Sequence, residues 1–257
     1  MATKISFANQ KGGVAKTSSC LIFGQILTKA KVKVLFIDMD PQGNLSHTLG
    51  VEPNCGTIFD VLSKAKTLED SIQKTNTGDI VCYSPSLAGT DKTLDSLGKE
   101  YLLKEALESV DHKYNYILID SPPALGVLTI NTLVASDYLV IPAQADIYSL
   151  QGINQIFLTI DSVKKYCNAK LKVLGVLLTR FNSKTNISRE LSQMIEETAN
   201  KLNTKVFKSR IRECVAIKEA EACQIDLFSY APKSNAALDY FEFIKELLGD
   251  IKINEEA

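Results

Sequence analysis

The sequence holds no tryptophan, only two histidines and three methionines, and no two of its six cysteines stand close enough for a CxxC pair. His47 and His112 lie far from one another in sequence, so a zinc site has no ligand set to draw on. The cysteines read as reduced thiols used as small apolar side chains. An excess of either charge is also missing: 29 Lys+Arg stand against 30 Asp+Glu, a net charge of −1. Bulk charge therefore nominates no nucleic-acid partner. No apolar run approaches the roughly 18–20 residues of a membrane span. Met1-Ala2-Thr3-Lys4 leads directly into a strand-like run, which leaves no room for a signal peptide, so a cytosolic chain is expected. With 45% apolar and 23% charged residues, the composition is that of a folded globular chain rather than a disordered one.

What is present is alternation. Short apolar runs at 5–8, 32–37, 80–83, 116–119, 138–141 and 171–178, with a weaker one at 205–207, predict strands. Several are rich in Val, Ile and Leu with little polar alternation, as strands buried on both faces require. Between them, helical periodicity predicts helices near 17–30, 99–110, 125–135, 148–166, 186–202 and 234–248. Such repetition implies an α/β fold, a mostly parallel central sheet with helices on both faces. The region 44–100 is the least regular and predicts short helices and loops around the third strand. No repeat, low-complexity stretch or Pro/Gly-rich linker divides the chain, so one domain over 1–257 is expected, with no preceding helix-turn-helix domain.

Three segments carry chemistry. Asn9-Gln10-Lys11-Gly12-Gly13-Val14-Ala15-Lys16-Thr17-Ser18 follows the first strand and opens the first helix. Glycines there let the backbone approach phosphate, and the helix N-terminus adds a positive field. Lys16 would sit on β- and γ-phosphates, and the Thr17 hydroxyl would hold Mg²⁺. Read against G-x-x-x-x-G-K-[ST], the run fails at both glycines, with Gln10 and Ala15 in their places. At a positive φ, Ala15 would cost on the order of 1 kcal/mol; at a negative φ it would cost little. Asp38-Met39-Asp40-Pro41-Gln42-Gly43-Asn44 ends the second strand, so two acids face the phosphate loop. Asp40 is expected to position the attacking water, and Asp38 to tune the Mg²⁺ shell. Tyr116-Ile117-Leu118-Ile119-Asp120-Ser121-Pro122-Pro123 has the form of a Walker B strand, with Asp120 at the metal and a stiff loop beside the γ-phosphate.

Lys11-Gly12-Gly13-x-x-Lys16-Thr17 resembles the deviant Walker A motif of the ParA/MinD branch of P-loop ATPases. The D-x-D-P-Q-G-N run and the D-x-P-P-x-x-G loop resemble the same family. So do Asn131–Asp137, Ile141–Gln144, Tyr148–Gly152, Gly175–Phe181 and Tyr230–Ser234, so that the likeness covers essentially the whole chain and is nearest to short, Soj-like ParA partition proteins. The resemblance implies ATP and Mg²⁺ as ligands and a phosphate cradle of Lys11, Gly12, Gly13, Val14, Ala15, Lys16, Thr17 and Ser18. It implies Thr17, Asp38 and Asp120 at the metal, and Lys11, Lys16 and Asp40 as catalytic residues, Lys11 acting across an ATP-dependent homodimer. It also implies plasmid or chromosome partition, with slow hydrolysis stimulated by a ParB-type centromere-binding partner. The stretch Ile211–Ile217 departs from the family pattern, so no adenine-contacting residue is assigned there.

Family members bind either non-specific DNA or, like MinD, a membrane. From Lys164 to Lys218 the chain carries 13 basic and four acidic residues, a local charge of +9, which leaves −10 on the rest. That asymmetry favours phosphate-backbone binding, nearly blind to base sequence. Lys184, Arg189, Lys208, Arg210 and Arg212 are the expected DNA contacts, and a cytoplasmic, nucleoid-associated protein follows. Leu238, Phe241, Ile244, Leu247 and Leu248 form one helical stripe, read as a docked core face; the acidic tail after it speaks against a membrane anchor. The alternatives are a MinD-like positioning ATPase and a P-loop enzyme acting on a small molecule.

Overall fold

The computed structural model describes residues 1–94, 97–183 and 186–256. In chain order the elements are β1 (Thr3–Phe7), α1 (Lys16–Lys29), β2 (Val34–Asp38), α2 (Asn44–Thr48), α3 (Ile58–Leu62), β3 (Ile72–Thr75), β4 (Gly78–Val81), α4 (Thr90–Thr93), α5 (Leu102–Glu108) and β5 (Tyr116–Asp120). There follow α6 (Val127–Ala135), β6 (Tyr138–Gln144), α7 (Ile147–Tyr166), β7 (Lys172–Thr179), α8 (Asn186–Lys201), α9 (Val215–Ala222), α10 (Leu227–Tyr230) and α11 (Asn235–Glu256).

Among the described residues, seven strands form one sheet in the order β3-β4-β2-β5-β1-β6-β7. All neighbours are parallel except the β3–β4 pair. Strand β1 lies inside the sheet, between β5 and β6, so the loop that follows it opens at the middle of the carboxyl edge. Register then aligns the acids: Phe7 and Asp38 both pair with Asp120. The alternate residues of each strand enter different cores. Phe7, Phe36, Leu118, Val140 and Leu177 face α1 and α11, whose Phe23, Tyr240 and Phe243 complete that layer. Leu35, Ile37, Ile117 and Ile119 face α3, α5 and α6. Leu139, Ile141, Val176 and Leu178 face α7 and α8. Both faces are covered, which accounts for the near-continuous apolar strands.

Two strand expectations change. Residues 205–207 do not form a strand; Val206 makes one isolated parallel bridge with Val176, and a second joins Phe181 to Arg212. The chain runs beside β7 without a continuous ladder. The seventh strand is instead β3, an edge strand of four residues whose polar Gln73 and Lys74 gave no apolar run. The C-terminal stripe also divides. Ile244 and Leu247 are buried, but Leu238 is 53% and Phe241 46% exposed, and Tyr240 and Phe243 fill the core in their place. Helix α11 continues through the acidic tail to Glu256. Among the described residues no helix is long and apolar enough to cross a membrane.

Candidate functional site

The loop between β1 and α1 is held from outside, which turns it inward. Asn9 donates to the Pro142 carbonyl at 2.7 Å, the Gln144 amide donates to the Gly13 carbonyl at 2.9 Å, and the Thr179 hydroxyl donates to the Val14 carbonyl at 3.1 Å. Helix α7 presses close because Gly152 lacks a side chain; a Cβ there would stand 3.0 Å from Asn9 Oδ1. Ala15 precedes α1 at φ 61° and ψ 37°, and no side chain caps the helix. The first-turn N–H groups of α1 thus lack a side-chain cap, a suitable seat for phosphate. The positive φ settles the question raised by Ala15: the residue carries the left-handed strain that glycine would not.

Lys16 is buried, and its Nζ donates to the Lys11 carbonyl at 3.2 Å. Burial lowers its pKa, while the nearby charges of Asp120 and Asp40 act the other way. Thr17 donates its hydroxyl to Asp120 Oδ2 at 2.6 Å. Asp120 is fully buried, and its Oδ1 has no hydrogen-bond partner. Burial, and then the charge of Asp38, hold its carboxyl well above the ordinary range. A divalent cation answers both conditions, since it satisfies the free oxygen and offsets clustered carboxylates. Among the described residues no group of three or more His, Cys, Asp or Glu forms a metal cage. Magnesium does not need one, because it keeps waters and binds through one or two carboxylates together with substrate phosphates. Thr17 and Asp120 fit that pattern.

Asp38 is bound into the turn that follows β2. Its Oδ2 accepts from Ser46 N at 2.8 Å and Ser46 Oγ at 2.6 Å, and its Oδ1 accepts from Asp40 N at 3.2 Å. These bonds fix the start of α2 and the Asp40 turn. Burial raises its pKa to about 6 despite those donors. Asp40 accepts from Gln42 N through Oδ1 at 2.9 Å and is among the residues that line the cavity.

That cavity has a volume of about 550 Å³. Gly12, Gly13, Ala15, Lys16, Thr17 and Ser18, from the loop and the first turn of α1, line it. Thr179, Arg180, the stretch from Ile211 to Val215, and α9 also line it. Sequence reading left α9 unassigned, although Val215–Ala222 has no Gly or Pro and consists largely of strong helix formers. It also left out Asp146, which caps α7 by accepting from Ser149 N at 2.9 Å and which forms an ion pair with Lys11.

The expected DNA contacts separate. Lys184 lies outside the described residues. Arg189 is exposed in the first turn of α8 and donates to Asn186 Oδ1 at 2.7 Å. Lys208 is exposed, with its backbone N–H donating to Glu246 at 2.9 Å. Arg210 pairs with Glu196 at 2.6 Å and lies over the Phe181 ring. Arg212 grips Asp239 through its side chain at 2.6 Å and its backbone N–H at 2.9 Å, and it lines the cavity. Arg210 and Arg212 are therefore already neutralised. The +9 segment does not make one patch, because acids of α11 fold back onto it, with Lys205 also paired to Asp250 at 2.7 Å.

Residues 2–173 match the family model of an AAA domain. The sporulation initiation inhibitor protein Soj of Bacillus subtilis (strain 168) is 37% identical over 254 residues, covering 96% of this chain and 98% of that protein. Among solved structures, cobyrinic acid a,c-diamide synthase from Mycobacterium smegmatis, with bound ATP analog and magnesium, is 32% identical with a TM-score of 0.85, covering 98% of this chain and 96% of that one. A variant of McdA from Cyanothece in complex with ATP is 28% identical with a TM-score of 0.85, covering 96% of each chain. The chain belongs to the ParA/Soj family of partition ATPases.

Proposed function

We propose that this chain is an ATP-dependent DNA-partition switch. The observation that carries the reading is the Thr17–Asp120 hydrogen bond, set beside buried Lys16 and Asp40, which line the cavity. ATP occupies that cavity, its phosphates on the loop from Lys11 to Ser18 and its nucleoside toward α9. Lys16 lies on the β- and γ-phosphates. Thr17 and Asp120 hold Mg²⁺, which when bound neutralises charge on the phosphate oxygens. Asp40 has one carboxylate oxygen committed to Gln42 N, so the other is left to orient water for in-line attack on the γ-phosphate.

Lys11 supplies the coupling to assembly. In one chain it is bound to Asp146; in the ATP-bound homodimer it reaches the phosphates of the second copy's nucleotide. Hydrolysis removes the group that Lys11 holds, and the dimer parts. The dimer binds non-specific DNA through exposed cations near α8, Arg189 and Lys208 among them, at the nucleoid. A ParB-type centromere-binding protein stimulates the slow hydrolysis, and the cargo is a plasmid or a chromosome. Likeness to the Soj and ParA relatives supports the partner and the cargo.

The test is co-sedimentation with random DNA. Binding should require ATP and Mg²⁺ and weaken as salt rises. Binding to anionic liposomes in place of DNA would favour a MinD-like membrane role. A second reading, a small-molecule enzyme, draws on the likeness to the diamide synthase. It predicts turnover that depends on an added acceptor and is indifferent to DNA.

A further inference from the structure

The cavity contains an acid that the phosphate chemistry does not use. Glu221 lies near the end of α9 and faces the first turn of α1, where Ser18 Oγ donates to its Oε1 at 2.6 Å. Both residues line the cavity. A half-buried carboxylate beside a triphosphate site is unfavourable in itself, because like charges repel and burial opposes ionisation. Burial indeed raises the Glu221 carboxyl above its ordinary range. Lys218, one turn earlier on α9, is the nearby cation that acts against that shift. Such a group is tolerable if the ligand brings it a hydrogen-bond donor.

A nucleoside triphosphate has few donors, and its phosphates have none when ionised. The remaining donors are the ribose hydroxyls and the exocyclic amine of the base. Position selects between them. The phosphates take the loop from Lys11 to Ser18, and Glu221 stands just past that loop, held by Ser18 itself, so the group that comes next to it is the one bonded to the α-phosphate, the ribose. The base is separated from the phosphates by the ribose, so its exocyclic amine falls further from Ser18 than the ribose hydroxyls do. Oε1 of Glu221 is taken by Ser18, and no hydrogen bond to Oε2 is found among the described residues.

Building on the ATP-binding reading, we infer that Glu221 is the ribose-reading residue of this site, its free carboxylate oxygen accepting a hydrogen bond from a ribose hydroxyl. Ser18 is the positioning residue that aims it. The site thereby selects ribonucleotides over deoxyribonucleotides, through a residue outside the phosphate loop, the Asp40 turn and the Asp120 strand.

The experiment is calorimetric titration of the full chain with ATP, 2′-deoxy-ATP and 3′-deoxy-ATP in Mg²⁺. Wild type should bind ATP about tenfold or more tightly than at least one deoxy analogue, since a hydrogen bond to a charged group is lost. In Glu221→Ala that ratio should fall to about one, and Glu221→Gln should keep part of it. Equal binding of all three nucleotides by wild type would overturn the inference without needing any variant to fold. A ratio unchanged in a folded Glu221→Ala, checked by thermal melting, would overturn it too, because a purely structural Ser18–Glu221 contact weakens every nucleotide alike. Failure of wild type to bind ATP at all is the distinct result that removes the nucleotide reading, and this inference with it.

Discussion

Lys11 and Asp146 form an ion pair at the mouth of the phosphate loop, joining the lysine peculiar to the deviant Walker A motif to the capping residue of α7. Both side chains are only partly exposed, at 24% and 30%. The pair keeps Lys11 on its own chain, and the proposed dimer needs it elsewhere. Asp146→Asn keeps an oxygen for the Ser149 N–H and removes the charge that holds Lys11. ATP-dependent dimerisation should strengthen by about two- to fivefold, the scale of a partly solvated ion pair. Sedimentation equilibrium measures it, and an unchanged or weakened dimer would show that the pair does not compete with assembly.

Ala15 stands at φ 61°, in a conformation that disfavours every residue with a Cβ. Relief of that strain in Ala15→Gly exceeds the added freedom of the unfolded chain only slightly. The variant should therefore be more stable by up to about 1 kcal/mol in denaturant unfolding. A loss of stability greater than that would mean that the alanine methyl makes packing contacts the backbone geometry does not suggest.

Asp38 gives a pH dependence with a defined sign. Its folded pKa of about 6 lies above the ordinary carboxyl value. The folded chain therefore binds more protons than the unfolded one between about pH 4 and pH 6, and stability contributed by this group falls as pH rises through that window. Above it, the buried charge costs on the order of 3 kcal/mol. Other carboxylates shift downward, Asp111, Asp226 and Glu246 among them, so the comparison must be a difference. Wild type minus Asp38→Asn, measured by urea unfolding at pH 4 and pH 7 without nucleotide, should show that loss. A flat difference would contradict the assignment.

The basic residues should divide by what they already touch. Lys208→Ala and Arg189→Ala should each weaken DNA binding and reduce the salt slope by about one. Arg212→Ala should act mainly through its broken grip on Asp239, lowering stability and disturbing the cavity it lines. Fluorescence anisotropy with random duplexes at several salt concentrations, paired with thermal melting, separates the two effects. Equal salt slopes for all variants would mean that the exposed cations are not the DNA contacts.

Most of the fold was legible because its signals are local. Apolar runs such as Tyr116–Asp120 announce buried parallel strands, and the loop, turn and Walker B segments each announce a carboxyl edge. What was not legible depends on distant partners. The role of Asp38 turns on Ser46, eight residues away, and that of Arg212 on Asp239, 27 residues away. Strand β3 could not be read from four residues of mixed polarity, since its pairing with β4 supplies most of its reason to be extended. Charge counting found the +9 segment, but only the fold shows that α11 returns Asp239, Glu246 and Asp250 to neutralise part of it.

The account rests on ATP holding two copies of this chain together through the phosphate loop. Sedimentation velocity of Asp40→Ala in ATP and Mg²⁺ tests it most directly, with Lys16→Ala beside it. The account predicts a stable dimer for Asp40→Ala that reverts to monomer when ATP is withdrawn, and a monomer throughout for Lys16→Ala. A monomer for Asp40→Ala at saturating ATP, or a dimer indifferent to nucleotide in both variants, would contradict it.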